Sequence, residues 1–358
     1  MPKKLTYAES GVDRELRGKS KAVLKMLEKT YRFSLHGEVL QLPFGNIFPI
    51  GDNRFLDFAI EGVGTKVLLA QIADKYDTIG IDGVAMAVND VIRSGAKPLA
   101  IVDNIHAHKS DPTLVQQWIE GITQGALESQ CIVAGGEIGD VSELISGVRG
   151  DKGFDMIVSC IGEISKAGII LGKNIKPKDV VIGLKSSGLH SNGITLARKV
   201  LFKAWGGKFD PYDIPEGLGR ALIFEALEPT RIYAKPLQAV AKQHKVKGAV
   251  HITGDAYLKF GRLMDFSKGI GFKLDNFKPQ PIFEILQKTA EEKGGISSDE
   301  MFKTFNMGWG FAIIVDKAAQ DSVLDILENR NVEAEVLGEA TSSRKIAIIY
   351  GGKKLVLA

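Results

Sequence analysis

Arg54-Phe55-Leu56-Asp57-Phe58-Ala59-Ile60-Glu61-Gly62-Val63-Gly64-Thr65-Lys66, running on into Val67-Leu68-Leu69-Ala70, is the stretch on which the fold turns. Phe55, Asp57 and Ala59 alternate with Leu56, Phe58 and Ile60, the two-residue period of a strand. The alternation stops at two glycines, and helical spacing follows over 67–75. Strand, tight turn and helix in succession mark an α/β unit.

The same punctuation extends in both directions. Val23, Leu24 and Leu27, with lysines between them, predict an amphipathic helix over 16–31 after an extended start. Downstream, helices are expected over 83–94 and 112–129, and strands over 99–103, 131–134 and 155–162. The glycines and lysines of 166–178, closed by Pro177, read as a domain boundary. A second run follows, with strands at 180–184, 250–252, 310–315, 333–337 and 345–350. Its expected helices are 192–204, 233–244 and 257–263. The chain is therefore read as α/β (α+β) in two domains, 1–168 and 169–358.

The 358 residues are 44% hydrophobic and 25% charged, which suits a globular protein with two cores. Lys plus Arg is 46 against 43 for Asp plus Glu, a net charge of +3 that supplies no concentrated basic face for nucleic acid. No apolar run approaches the roughly 18 residues that span a bilayer, so no membrane partner is expected. Met1-Pro2-Lys3-Lys4-Leu5 has no apolar segment after it, which argues against a secretory signal and for the cytoplasm. Cys131 and Cys160 fit no zinc spacing and read as ordinary buried thiols.

Neither common nucleotide signature is present. Gly18-Lys19-Ser20 has Asp13 where a P-loop needs glycine, and Gly62 and Gly64 are followed by Val67 rather than a third glycine. Six polar turns remain as candidate chemistry. In Glu61-Gly62-Val63-Gly64-Thr65-Lys66 the backbone can approach an anion, Lys66 adds charge and Glu61 can ligate a cation; the plain alternative is a tight turn. Asp82 and Asn89, seven apart on a helix, fall on one face with Asp90 beside them; capping by Asp82 and a wet face are the alternative. Gly135-Gly136-Glu137 offers a hard-cation ligand after a strand, or simply a Gly-Gly turn. Ser186-Ser187-Gly188-Leu189-His190-Ser191-Asn192-Gly193 packs hydroxyls, an imidazole and an amide at a helix start. That suits an anion with a proton carrier beside it, against the alternative of an elaborate cap. His251-Ile252-Thr253-Gly254-Asp255 and Phe305-Asn306-Met307-Gly308 are two more polar turns beside strands. His106 and His108 read as surface residues.

Together these segments resemble the phosphoribosylformylglycinamidine cyclo-ligase (aminoimidazole ribonucleotide synthetase) family. The resemblance also takes in Tyr7-Ala8-Glu9-Ser10-Gly11-Val12-Asp13, Ile81 to Asp90, Gly95-Ala96-Lys97-Pro98-Leu99 and Pro229-Thr230-Arg231-Ile232-Tyr233. It implies a homodimer whose N-terminal mixed sheets pair into a barrel-like interface, with the C-terminal sheet covered by helices. It implies ATP-dependent closure of formylglycinamidine ribonucleotide to 5-aminoimidazole ribonucleotide, with release of ADP and phosphate, in purine biosynthesis. ATP and Mg2+ are the implied cofactors, with K+ as a further candidate.

By resemblance, Glu61, Asp82 and Glu137 hold the metal, and Gly62, Gly64, Thr65, Lys66, Asn89, Asp90, His251 and Thr253 surround ATP. Ser187, His190, Ser191, Asn192 and Asn306 meet the substrate, with His190, Asp82 and Lys66 as the catalytic set. Four departures from the family pattern stand near the phosphates. Glu61 replaces an Asp, Ile138 replaces a Thr, Asp255 and Ala256 replace two glycines, and a glycine-rich loop is reduced to Leu42-Pro43-Phe44-Gly45-Asn46. Two other readings are a sibling ATP-dependent phosphotransferase and a dimeric paralogue without turnover. The 186–193 loop speaks against the first, and the retained carboxylates, His190 and Asn306 against the second.

Overall fold

The computed structural model describes residues 4–357; Met1, Pro2 and Lys3, on which part of the N-terminal reading rests, and Ala358 lie outside the described residues. The first sheet contains β1 (Leu40–Leu42), β2 (Gly45–Gly51), β3 (Arg54–Gly62), β4 (Lys97–Ala107), β5 (Ile132–Asp140) and β6 (Phe154–Ser165), in the order β1-β2-β3-β6-β4-β5. β4 and β5 run parallel and the other neighbours antiparallel. Helices α1 (Arg14–Lys21), α2 (Lys66–Ala73), α3 (Asp77–Ile92) and α4 (Pro112–Ser129) accompany it. α4 is the crossover between the parallel strands. It starts where the sequence says it should: Asp111 accepts from the Thr113 N–H at 2.9 Å, and Pro112 follows in the first turn. α3 and α4 touch backbone to backbone, since a Cβ on Gly121 would lie 2.1 Å from the Asp77 carbonyl.

The second sheet runs β13-β12-β9-β11-β7-β10-β8. Its strands are β7 (Val180–Lys185), β8 (Gly248–His251), β9 (Gly271–Leu274), β10 (Trp309–Val315), β11 (Ala334–Thr341), β12 (Ile346–Tyr350) and β13 (Lys353–Val356). Helices α5 (Ile194–Leu201), α6 (Leu222–Ala226), α7 (Ala234–Ala241), α8 (Phe260–Phe266), α9 (Pro281–Glu291), α10 (Ser298–Thr304) and α11 (Gln320–Glu328) surround it. Every residue of β10 is buried, which is why its sequence is a continuous apolar run rather than an alternation. Both cysteines are free, and burial raises both thiols, Cys131 to about 11. Among the described residues no helix is long and apolar enough to cross a membrane.

Three expectations need correction. The helix over 16–31 is α1 followed by a 3-10 stretch, Ala22–Phe33, and Val23, Leu24 and Leu27 are exposed. Periodicity marks an apolar face but does not supply something to cover it. The helix expected from residue 83 begins at Asp77, so Asp82 is no cap but a fully buried side chain inside α3. Gly135-Gly136-Glu137 is no turn. It continues β5, with Gly136 opposite Asp103 and Glu137 opposite Asn104. The glycine is needed there for room, because a Cβ on Gly136 would lie 2.4 Å from an Asp103 carboxylate oxygen.

A buried polar seam joins the two sheets' layers. The Lys66 ammonium, fully buried, donates to Asp82 Oδ1 at 2.9 Å and the Glu228 carbonyl at 2.7 Å, and lies 2.8 Å from Asp82 Oδ2. Asp82 Oδ1 also accepts from the Thr230 N–H at 2.8 Å, the Thr230 hydroxyl at 2.6 Å and the Ser191 hydroxyl at 3.1 Å. Asn89 clamps the same segment by donating to the Arg231 carbonyl at 2.8 Å and accepting from the Tyr233 N–H at 2.9 Å. Asp82 and Asn89 do share a face of α3, and that face grips the backbone of 228–233.

Removing one member of a fully buried pair leaves an uncompensated charge, at a cost of about 3–5 kcal/mol. Asp82→Ala is therefore expected to lower unfolding free energy by about that amount in urea titration. The double variant Lys66→Met, Asp82→Leu should recover part of the loss; equal damage from single and double variants would deny the pair its role.

Candidate functional site

β3 alternation carries Asp57, Ala59 and Glu61 to the face that meets the C-terminal turn of α3. There Asp90, Arg93 and Ser94 share one side of the helix. The turn 42–45 closes over them, and a cavity of about 190 Å³ remains, lined by Pro43, Phe44, Asp57, Glu61, Asp90 and Arg93 among others. The second domain contributes His251 at the end of β8, whose Nδ1 lies 2.7 Å from Asp90 Oδ1. Arg93 pairs with the same Asp90 oxygen at 2.9 Å, donates to the Phe44 carbonyl at 3.3 Å and lies over the Phe44 ring at 4.8 Å. Lys259 donates to the His251 carbonyl at 3.1 Å and to the Thr253 hydroxyl.

Confinement sets the electrostatics. Burial, and then the negative charge of Asp90 that it faces, push Glu61 up to about 7. Burial pushes Asp57 up to about 6 despite Ser94 and Arg93. At Asp90 burial works in the same direction, but Arg93 and the His251 hydrogen bond overcome it and hold the carboxyl well below its ordinary range. His251 is pushed down to about 4 by burial, against the pull of Asp90, so at neutral pH it is an uncharged donor to that carboxylate. Its Nε2 is buried without a partner. Two carboxyls that face each other at partial burial accept a proton or a cation more readily than they accept two charges.

The 186–193 loop is held by its own hydroxyls and amides. Asn306 accepts from the Ser186 hydroxyl at 3.0 Å and the Gly308 N–H at 2.9 Å, and donates to the Gly188 carbonyl at 2.8 Å. Ser187 donates to the Pro229 carbonyl, Ser191 to Asp82, and Asn192 accepts from the Gly254 N–H at 2.9 Å. His190 takes a left-handed backbone, φ 59°, and its Nε2 accepts from the Ser187 N–H at 3.1 Å. That acceptor role puts the ring proton on Nδ1, which is buried with no partner. Burial holds the imidazole well below its usual value, helped by the nearby positive charges of Lys66 and Arg231. A buried neutral donor is a better description of His190 than a freely titrating carrier.

The expected residues thus divide into groups. Glu61 and Asp90 come together in one cavity, with His251 against Asp90 and Thr253 held by Lys259 outside its lining. Gly62, Gly64 and Thr65 form the turn beside it, with φ 67° at Gly64 and the Thr65 hydroxyl 2.8 Å from that of Thr195. Lys66, Asp82 and Asn89 are in the seam, their polar atoms committed to the 228–233 segment. Glu137 is exposed on β5, at the far edge of the sheet from β1. Among the described residues no three His, Cys, Asp or Glu are gathered to hold a metal, so Glu61, Asp82 and Glu137 do not form one set. The sequence reading missed Asp57, Arg93 and Lys259. Asp57 has the strand phase of Glu61, and Arg93 follows Asp90 by three on a helix, so both had a positional signal.

Asp255 does not enter the cavity. It and Ala256 adopt left-handed backbone, φ 69° and 37°, and the Asp255 carboxylate lies 3.2 Å from Arg14 Nε of α1. The residue that replaces hydrogen in this turn ties down the N-terminal segment.

The chain matches two family models, AIR synthase related protein, N-terminal domain, over residues 45–164, and AIR synthase related protein, C-terminal domain, over residues 176–351. It is 36% identical over 358 residues to phosphoribosylformylglycinamidine cyclo-ligase of Methanocaldococcus jannaschii, covering 98% of this chain and 95% of that one. The namesake from Pyrococcus horikoshii is 36% identical, with 94% of this chain and 95% of that one covered. That from Bacillus licheniformis is 38% identical, with 82% of each covered. Among solved structures the fold is similar to T. maritima PurL complexed with FGAR, with a TM-score of 0.60 at 15% identity. The match covers 86% of this chain and 46% of that one, so this chain spans about half of PurL. The HypE–HypF complex matches with a TM-score of 0.59 at 16% identity, over 87% of this chain and 92% of that chain.

Left-handed backbone at a non-glycine residue costs about 1–2 kcal/mol, whereas a half-exposed ion pair contributes about 0–1 kcal/mol. Asp255→Gly is accordingly expected to leave stability unchanged or raise it by up to about 2 kcal/mol in denaturant unfolding. A clear loss would mean that the Arg14 contact outweighs the backbone strain.

Proposed function

The chain belongs to the phosphoribosylformylglycinamidine cyclo-ligase family, and from that membership we propose that it closes formylglycinamidine ribonucleotide to 5-aminoimidazole ribonucleotide, converting ATP to ADP and phosphate. The observation that carries the site is the facing pair Glu61 and Asp90 in a cavity capped by a short turn.

An amide oxygen is a poor leaving group. Transfer of the γ-phosphoryl group to the formyl oxygen makes the formyl carbon electrophilic, and a nitrogen of the same molecule attacks it. The ring closes as phosphate departs and the nitrogen's proton is lost. Holding both ends of one molecule together gives effective molarities of about 10⁵–10⁸ M, so positioning is the enzyme's main task. When bound, Mg2+ neutralises charge on the transferring phosphoryl group.

The residues present fit such a cation. Mg2+ is commonly bound by one or two carboxylates with nucleotide phosphates completing its shell, and Glu61 and Asp90 are two half-buried or buried carboxyls whose mutual repulsion a cation relieves. We assign the metal to this pair, with the turn 62–65, His251 and Thr253 near the nucleotide. Lys66 and Asp82 act at a distance by fixing α3, and Glu137 lies outside the set. Asn306, Ser187, Ser191 and Asn192 shape the loop that presents His190 Nδ1–H, a neutral donor suited to charge developing on the formyl oxygen.

The homodimer implied by the resemblance has a physical basis in the first sheet. Phe58, Ile60, Leu99, Val102 and Ile132 are exposed on the face away from α3 and α4, opposite to the phase of buried Asp57, Ile101 and Asp103. An apolar sheet face of this extent is suited to pairing with a second copy.

Three outcomes test the reading. Purified protein given ATP, Mg2+ and formylglycinamidine ribonucleotide should release ADP and the aminoimidazole product in equal amounts; ADP without the imidazole would point to the sibling phosphotransferase, and neither product to a paralogue without turnover. His190→Ala should lower kcat by about 10²–10³-fold, the usual effect of deleting one preorganised donor, and unchanged turnover would remove His190 from the mechanism. Ile60→Lys should convert a dimer to monomers in light scattering, and a wild type that is already monomeric would contradict the pairing.

A further inference from the structure

Arg93 occupies the cavity in a way that nothing above explains. Its side chain is mostly buried, at 13% exposure, against the 8% exposed Asp90 side chain. It is divided between that carboxylate at 2.9 Å, the Phe44 carbonyl at the long distance of 3.3 Å, and the face of the Phe44 ring. The groups that face it are Asp57, Glu61 and Asp90 on the acidic side and Lys259 on the basic side, with His251 behind Asp90. Asp90 is therefore the anion that holds Arg93 in place, and the bond to the 42–45 turn is secondary.

We propose that Arg93 is a partner-switching residue, paired with Asp90 and the Phe44 turn when the cavity holds no divalent cation, and released to the nucleotide phosphates when a cation takes Asp90. This rests on the assignment of Glu61 and Asp90 as the cation's carboxylates. A dication on Asp90 removes the arginine's counter-charge and repels the guanidinium. A polyphosphate is then its best available partner, because the planar fork matches phosphate oxygens bidentately. The switch also carries the turn: Phe44 is bound to Arg93 through its carbonyl and its ring, so the cap over the cavity responds to the nucleotide through this side chain.

The switch makes a prediction of opposite signs, which a merely structural arginine would not. Without Arg93 the cation loses its charged competitor for Asp90, so Arg93→Gln should bind Mn2+ about tenfold more tightly in the nucleotide-free protein, as read by electron paramagnetic resonance of free Mn2+. The same variant should bind Mn2+–AMPPCP about tenfold more weakly. Arg93→Lys keeps the charge and loses the fork, so it should retain wild-type Mn2+ affinity and lose part of the nucleotide affinity. If Arg93→Gln weakens both ligands, or leaves Mn2+ binding unchanged, the switch is wrong. Glu61→Gln separates the two levels. If it leaves Mn2+ affinity intact, the carboxylate assignment fails and the switch with it; if it abolishes Mn2+ binding while Arg93→Gln gains none, the switch alone fails.

Discussion

A lysine and an aspartate with no access to water hold this molecule together. Lys66 and Asp82 lie at the start of α2 and within α3, yet their remaining hydrogen-bonding capacity is spent on Glu228, Thr230 and Ser191 of the other domain. Their desolvation is offset by their partners: the ammonium has its carboxylate and a carbonyl, and Asp82 Oδ1 has four donor groups while Oδ2 keeps only the ammonium at 2.8 Å. Everything in the site depends on this. α3 carries Asp90 and ends at Arg93, the 228–233 segment carries the backbone that meets His190, and the seam fixes one against the other. A polar seam of this kind has one good register, whereas an apolar one would permit sliding.

The cavity is built on the opposite principle. Where the seam satisfies its charges, the cavity crowds three carboxyls, Asp57, Glu61 and Asp90, around one arginine. Glu61 stands where the family uses aspartate, and its longer side chain meets Asp90 across the gap between β3 and α3. Local conflict of this sort is expected where a protein keeps stability in reserve for a ligand that resolves it. The contrast also explains why the two acidic motifs have separate fates: Asp82 and Asp90 lie on one helix, but Asp82 faces a buried lysine and Asp90 faces a second carboxyl, Glu61.

Much of the fold was legible in local pattern. The stretch from Arg54 to Lys66 folds as its periodicity requires, and Asp111-Pro112 starts α4 by ordinary capping chemistry. What misled was glycine and aspartate in places where they serve packing. Asp82 looks like the cap of a helix that starts at 83, yet it lies inside α3 and in the seam. Gly135 and Gly136 look like a turn, yet they let a strand pass the Asp103 carboxylate. The site was legible as a set of segments and not as a geometry. Which of Ser187, Ser191, Asn192 and Asn306 face a ligand and which hold a loop depends on partners more than a hundred residues away, such as Asn306 on Ser186, and no local pattern contains that.

The Asp255-Ala256 turn shows how far neighbours can replace intrinsic preference. Two residues with side chains hold left-handed backbone where the family has glycine, and strain of this sort persists only when surrounding contacts over-determine it. Here they do. The Gly254 N–H is held by Asn192, the Thr253 hydroxyl by Lys259, and the Tyr257 hydroxyl donates to the Asn306 carbonyl at 2.6 Å. Those partners belong to the 186–193 loop, to the turn that clamps it and to the edge of the cavity. The turn's shape is thus imposed by the same elements that present His190 and flank Asp90. Asp255 and Ala256 thus store strain in a turn that Asp255 also tethers to Arg14, away from the carboxylates of the cavity.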